Sequence, residues 1–274
     1  MDNSKEEVLF SVLVANYNNA KYITECLDSI LKQTCQNFEI IIVDDCSTDN
    51  SVEVIKDYMK NENRIKLFQN QENKGAGYTK KRCIDESSGE ICGFVDPDDA
   101  IVENALEIMM TEHRNHTDTG LVYSNNIICD SKLNPLYQRV KDSKKQMSPT
   151  ILRCNVSHFA TFKKRFYLKS IQLDPLFKRA VDMDLYACLL SVSTSRYVHK
   201  LLYNYRVHEK GISRFDNREK ASYWHFMVKN RHLKSLKFNE LENDFIQFLN
   251  YYRYDVSIYS KFRLLKIAVV NLFK

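Results

Sequence analysis

No stretch of this chain gathers Lys and Arg into an arm: 40 basic residues are spread over 274 positions against 35 acidic ones, for a formal charge of +5. A site that tracks a nucleic-acid backbone needs a clustered basic stripe, so nucleic acid is excluded as an expected partner. The eight cysteines show no Cys-x-x-Cys and no Cys/His metal spacing, which excludes a structural zinc site of the usual patterns. Reduced, mostly buried thiols in a cytosolic compartment are expected instead. No apolar run approaches the ~20 residues that cross a bilayer. The longest late one, Ile267 to Phe273, is broken by Asn271. Met1 to Glu7 is acidic and polar and does not resemble a secretory leader. Internal repeats and low-complexity tracts are also missing.

What is present is enough apolar residue, 44% of the chain, to bury a sizeable core. Val8 to Ala15 is a continuous apolar run closed by Asn16, Tyr17, Asn18 and Asn19, as expected of a buried strand and its turn. Tyr22, Cys26 and Ile30 then recur at helical spacing, and Phe38 to Val43 reads as a second buried strand. Val52, Ile55 and Met59 mark a helix that Asp49 or Asn50 would cap. A short strand (64 to 69), a Gly-bearing turn (73 to 77), a helix (78 to 86) and a buried strand (91 to 95) follow. Strands alternating with helices predict a mostly parallel, twisted, Rossmann-like α/β sheet covered on both faces. A helix (105 to 113) and a strand (121 to 128) precede a polar, Lys-rich stretch, 130 to 148, read as a mobile loop facing the acceptor. Beyond it come a helix (182 to 192) and an alternating strand (201 to 207) that sets Arg206 and His208 opposite Tyr203 and Tyr205. From Asp216 the pattern is helical to the end.

Two acidic turns leave strands at the same sheet edge, Asp44-Asp45-Cys46-Ser47-Thr48-Asp49 and Asp96-Pro97-Asp98-Asp99. Crowded carboxylates repel, and such a chain needs a cation or polar donors to offset the cost. In open sheets of this kind ligands bind beyond the carboxyl ends of the strands, where strand order reverses. The second turn reads either as one or two carboxylates holding a divalent ion or as a solvated turn. At the first, a carboxylate could accept the imide N–H of a pyrimidine, with Asn16 and Tyr17 supplying an amide and a ring; the alternative is an N-cap cluster.

Five segments in collinear order, ANYNNAKYITECLDSIL, IIIVDDCSTDNS, NQENKGAGYTKKR, GEICGFVDPDD and YRVHEKGIS, resemble the inverting family 2 glycosyltransferases of GT-A fold. The resemblance spans about Phe10 to Ser213. It implies a catalytic domain over 1–215 with a C-terminal helical extension over 216–274. It also implies that Ala15, Asn16 and Tyr17 line a base pocket, that Asp44 or Asp45 contacts the base, and that Asp96 approaches the ribose. Asp98 with Asp99 would hold Mn2+ or Mg2+, and Arg206 and His208 would lie near the diphosphate. Lys80 would reach a phosphate or the base; a helical surface lysine is the other reading. Asp182 takes the place of the catalytic base, with Val181 where the family carries a first acid. Asp184 is the neighbouring candidate, or else a charge satisfying the helix dipole.

The activity so implied is inverting transfer of a sugar from a nucleoside diphosphate donor, a UDP-sugar by family analogy, to a hydroxyl of a glycan or lipid-linked saccharide in surface polysaccharide synthesis. A non-catalytic sugar-nucleotide-binding scaffold is the alternative. A phosphorylation-responsive receiver domain fits less well, because a full strand and helix precede Asp44 and no strand-terminal Lys follows 121 to 128. In the tail, Lys261, Arg263, Lys266 and Lys274 punctuate apolar residues without an acid. That segment would lie on an anionic membrane at the inner face of the cell, dock on the domain, or pair with a second copy.

Overall fold

A computed structural model describes residues 9–140, 156–209 and 218–232. The chain runs β1 (Phe10–Asn16), α1 (Ile23–Leu31), β2 (Phe38–Asp44), α2 (Ser51–Met59), β3 (Ile65–Gln69), α3 (Ala76–Glu86), β4 (Ile91–Phe94), β5 (Ala100–Ile101) and α4 (Ala105–Asn115). It continues through β6 (Thr119–Cys129), β7 (Pro135–Arg139), β8 (Ala160–Lys163), α5 (Lys164–Lys169), α6 (Val181–Leu190), β9 (Thr194–Arg206) and α7 (Arg218–His232).

The strands form one sheet in the order β3-β2-β1-β4-β8-β6-β9-β5, with β7 hydrogen-bonded to β6. β3, β2, β1 and β4 are mutually parallel, as are β6 and β9; β8, β7 and β5 pair antiparallel. Side chains of successive strand residues point to opposite faces, and both faces of β1 are covered. Val12 and Val14 pack with Ile23, Leu27 and Ile55 from α1 and α2. Leu13 packs on the other face with Ile84, Leu185 and Leu189 from α3 and α6. A sheet buried on both sides accounts for the unbroken apolar runs in the sequence.

Strand order reverses between β1 and β4. The turns after β2, β1 and β4 therefore open side by side at one edge, where Asn16 stands opposite Asp44 in the β1/β2 register. Asp44 and Asp96 flank Asn16 at a span of two strand spacings, about 10 Å.

Several elements differ from the sequence reading, among them a β5 (Ala100–Ile101) that was not expected and a β9 that begins at Thr194 rather than 201. α3 begins at Ala76, two residues early, because Gly75 turns the chain at φ 87°. β8 and α5 were not expected, since four buried residues followed by one and a half turns carry no readable period. The polar stretch contains β7, an exposed edge strand that opens on Pro135, a position where the missing N–H costs nothing. Residues 141 to 148 of that stretch lie outside the described residues, as does the basic tail. Among the described residues no helix is long and apolar enough to cross a membrane. α7 sets Trp224 edge-on to Phe177 at 5.7 Å.

Candidate active site

The first acidic turn is held by its own neighbours. Asp44 accepts from Asn16 Nδ2 at 2.7 Å and from Ser47 N and Oγ at 2.9 and 2.6 Å. Asp45 accepts from Asn70 Nδ2 at 2.7 Å and from the backbone N–H groups of Lys74 and Gly75, both at 2.8 Å. Every oxygen of the two buried carboxylates thus has a donor, which resolves their repulsion without a cation. Two groups at this edge are left for a ligand: Asn16 Oδ1, buried with no partner, and the Tyr17 ring, 45% exposed. Ala15 is half-buried between them and the core. Asn50 makes no side-chain cap, whereas Asp49 Oδ1 accepts from Ser51 N at 3.0 Å and Asp49 Oδ2 from Ala20 N at 2.9 Å, tying α2 to the turn after β1.

The second turn separates its three acids. Asp99, expected as a metal ligand beside Asp98, instead faces the interior with 1% exposure. Its carboxylate accepts the Arg206 N–H at 2.7 Å and bonds the Tyr203 hydroxyl. Burial, reinforced by the charges of Asp98 and Asp96, pushes the Asp99 carboxyl well above the usual range. Arg206, expected to face the diphosphate, is likewise turned inward. Its guanidinium donates to the carbonyls of Asp98 at 2.5 Å and Ser131 at 2.8 Å, pairs with Glu25 at 2.7 Å, and lies 4.6 Å over the Tyr22 ring. It is a brace for the turn, and strand alternation alone gave no sign of the carbonyls and of Glu25 waiting on that face. Asp98 keeps 26% of its side chain exposed, and His208 Nε2 lies 2.8 Å from its Oδ2.

The third part is an ion-pair bridge. Lys80 is only 7% exposed, so it is not a helical surface lysine. Its Nζ donates to Asp96 Oδ1 at 3.1 Å and to Asp182 Oδ1 at 2.6 Å, above the Phe94 ring. Burial alone would lower the Lys80 pKa, but Asp182 and Asp96 hold it above its ordinary value. Burial conversely raises the Asp182 carboxyl, and the Lys80 and His158 charges outweigh that and hold it below the usual range. The bridge depends on Gly77: a Cβ there would fall onto the carbonyl oxygens of Asp174 and Phe177. Only glycine lets α3 lie against the loop that leads into α6. Asp184 is fully buried, bonded to Arg231 at 2.5 Å, to His232 at 2.7 Å and to the Asp174 N–H at 2.9 Å. Its burial leaves it no access to an acceptor as a base; it lies in the first turn of α6 and joins that helix to α7.

Asp98 and His208 offer a carboxylate oxygen and a ring nitrogen 2.8 Å apart, a donor pair that a divalent ion can take. Asp184, Cys188 and His232 also converge, but the Arg231 guanidinium already sits among them, 3.8 Å from Cys188 Sγ. A cavity of about 750 Å³ lies elsewhere, between α1 and β5, with Glu25 on its wall, and no carboxylate of the acidic turns lines it.

A mixed sheet with a parallel half and acidic turns at its switch point is an α/β architecture of the nucleotide-binding type. S. aureus TarS in complex with UDP-GlcNAc superposes with a TM-score of 0.72 at 22% identity, over 92% of this chain and 77% of that one. Mannosyltransferase PcManGT from Pyrobaculum calidifontis, in complex with GDP-Man and Mn2+, gives 0.65 at 17% identity over 98% and 82%. The description "Glycosyl transferase family 2" matches residues 11–172. The chain belongs to that family. Chondroitin synthase of Escherichia coli is 29% identical over 87% of this chain, which spans 35% of that relative's length.

Proposed function

We propose that the chain transfers one sugar from a UDP-sugar to a hydroxyl of a growing glycan or lipid-linked saccharide, with inversion and with Mn2+ or Mg2+ as cofactor. The observation that carries this reading is the Lys80 bridge, which ties Asp96 of the donor turn to Asp182 by contacts of 3.1 and 2.6 Å. A carboxylate fixed beside the donor turn, and a third exposed, suits a single in-line displacement in which it takes the acceptor proton. The transition state carries oxocarbenium character, as in glycoside hydrolysis. The acceptor hydroxyl becomes acidic only as its bond to the anomeric carbon forms, so a carboxylate of depressed pKa suffices as the base.

At the base end, Asn16 Oδ1 is an unused buried acceptor suited to the imide N–H of uracil, and Tyr17 offers a ring face. Asp44 and Asp45 act on the base through the groups they hold, Asn16 and the turn at Gly75. Asp96 faces the ribose, with Lys80 able to reach a donor phosphate. Asp98 and His208 would hold the divalent ion, which when bound stabilises the charge on the departing diphosphate. The UDP-GlcNAc complex of TarS supports uridine, and the Mn2+ complex of PcManGT supports the metal. The catalytic unit is 1–215, and 216–274 is its helical extension; the chondroitin synthase likeness supports a polysaccharide product.

Hydrolysis of a panel of UDP- and GDP-sugars, with Mn2+ and then with excess chelator, tests the reading. UDP-sugars should be cleaved fastest, and chelation should lower the rate at least about tenfold, about 1.4 kcal/mol of transition-state stabilisation. Equal rates after chelation remove the metal role of Asp98 and His208, and a preference for GDP-sugars removes the uridine assignment.

A further inference from the structure

His158 is placed where the reaction needs a third group, and no motif in the sequence points to it. It lies two residues before β8, next to the fully buried Phe159. Its ring stacks on Tyr203 with centroids 5.1 Å apart and an interplanar angle of 26°. The Tyr203 hydroxyl in turn accepts the Asp96 N–H at 3.1 Å and bonds Asp99. The imidazole is thus fixed against the residue that anchors the donor turn.

Its Nε2 lies 3.9 Å from Asp182 Oδ2. That is too long for a hydrogen bond, and it is the span that one oxygen bridges with two bonds of about 2.8 Å. The other oxygen of Asp182 is occupied by Lys80, so Oδ2 is the one left for a substrate. Both sides of the gap reach solvent, with the Asp182 side chain 34% and the His158 side chain 18% exposed.

We infer that the acceptor hydroxyl binds in this gap, donating to Asp182 Oδ2 and accepting from His158 Nε2–H. The inference rests on Asp182 being the base. One lone pair of the hydroxyl oxygen is then taken by the imidazole N–H, and the other is directed at the anomeric carbon. As the new carbon–oxygen bond forms, the hydroxyl proton passes to Asp182. The bond from the anomeric carbon to the diphosphate oxygen breaks, and its electron pair leaves with the nucleoside diphosphate. His158 keeps its proton throughout; it orients the nucleophile, and the single base is Asp182.

UDP release from UDP-GlcNAc in the presence of Mn2+, with water as the nucleophile in the same gap, provides the assay. His158→Phe keeps a ring on Tyr203 and removes the donor. His158→Gln restores an N–H near the place of Nε2. The expected result for His158→Phe is a kcat lower by roughly tenfold, with donor KM, UDP Kd and melting temperature unchanged. His158→Gln should recover to within about threefold of wild type. The inference is overturned if His158→Phe hydrolyses at the wild-type rate, if UDP affinity falls along with kcat, or if His158→Gln is as slow as His158→Phe. It is also overturned if the wild-type rate shows an acid limb that disappears in His158→Phe and survives in Asp182→Asn, because His158 would then be the base. Asp182→Asn separates the two claims: loss there with no loss in His158→Phe sinks this inference alone, and no loss in either sinks the assignment of the base.

Discussion

Asp182→Asn is expected to lower turnover by about 10²–10⁴-fold, the usual contribution of a positioned general base, while UDP affinity stays near wild type. Asparagine keeps the shape and can still accept from Lys80, so the substitution removes little besides the proton acceptor. A scaffold that only binds sugar nucleotides has no turnover to lose, and the same variant would leave it unchanged. The pH profile sharpens the prediction. Lys80 and His158 hold the Asp182 carboxyl below its usual range against the opposing effect of burial, so the base stays ionised as pH falls. The acid limb of kcat/KM should lie below the ordinary carboxylate range. Lys80→Met removes the larger of the two charges, leaves burial to act, and should move that limb upward. The stability sign runs the same way: a depressed carboxyl contributes above its unfolded pKa and loses the contribution as pH falls through the folded value. Lys80, held high by the same pair, loses its share as pH rises through its own folded value, and the one interaction counts once.

The second large effect is on stability. Asp184→Asn should destabilise the fold by about 3–5 kcal/mol, the cost of breaking a buried ion pair and leaving the partner charges uncompensated. Asp184 is fully buried, with Arg231 at 2.5 and 2.7 Å and His232 at 2.7 Å. For a chain of this size the loss corresponds to a melting temperature lower by roughly 6–20 °C. Asp184→Leu combined with Arg231→Leu should recover part of it, because removing both partners costs less than removing one. Were the single variant to melt within 2 °C of wild type (roughly 0.5–1 kcal/mol), the α6–α7 junction would not be an energetic anchor.

The parallel half of the sheet was legible because apolar runs and turn residues report their own local structure, and both acidic turns fall where strand order reverses. What stayed hidden is which way each polar side chain turns. Asp98 and Asp99 are adjacent and chemically alike, yet one is partly exposed and the other is buried beneath Arg206. That difference is set by β9, more than 100 positions later in the chain, as the Asp99–Arg206 separation of 107 shows. The family resemblance implied that Arg206 lies near the diphosphate, and the carbonyls of Asp98 and Ser131 claim it instead. Lys80 was equally readable as a surface residue until Gly77 allowed α3 to close on the loop before α6. His158 carries no local signal at all, since its role arises from a gap between two elements.

The most direct measurement is a crystal structure grown with UDP and Mn2+, read by the anomalous signal of the ion. The account predicts one manganese bonded to Asp98 and His208 and to the diphosphate, with uracil against Tyr17 and Asn16 and with Asp182 facing the open side of the diphosphate. Manganese on Asp184 and Cys188, or UDP seated in the cavity beside α1, would contradict it.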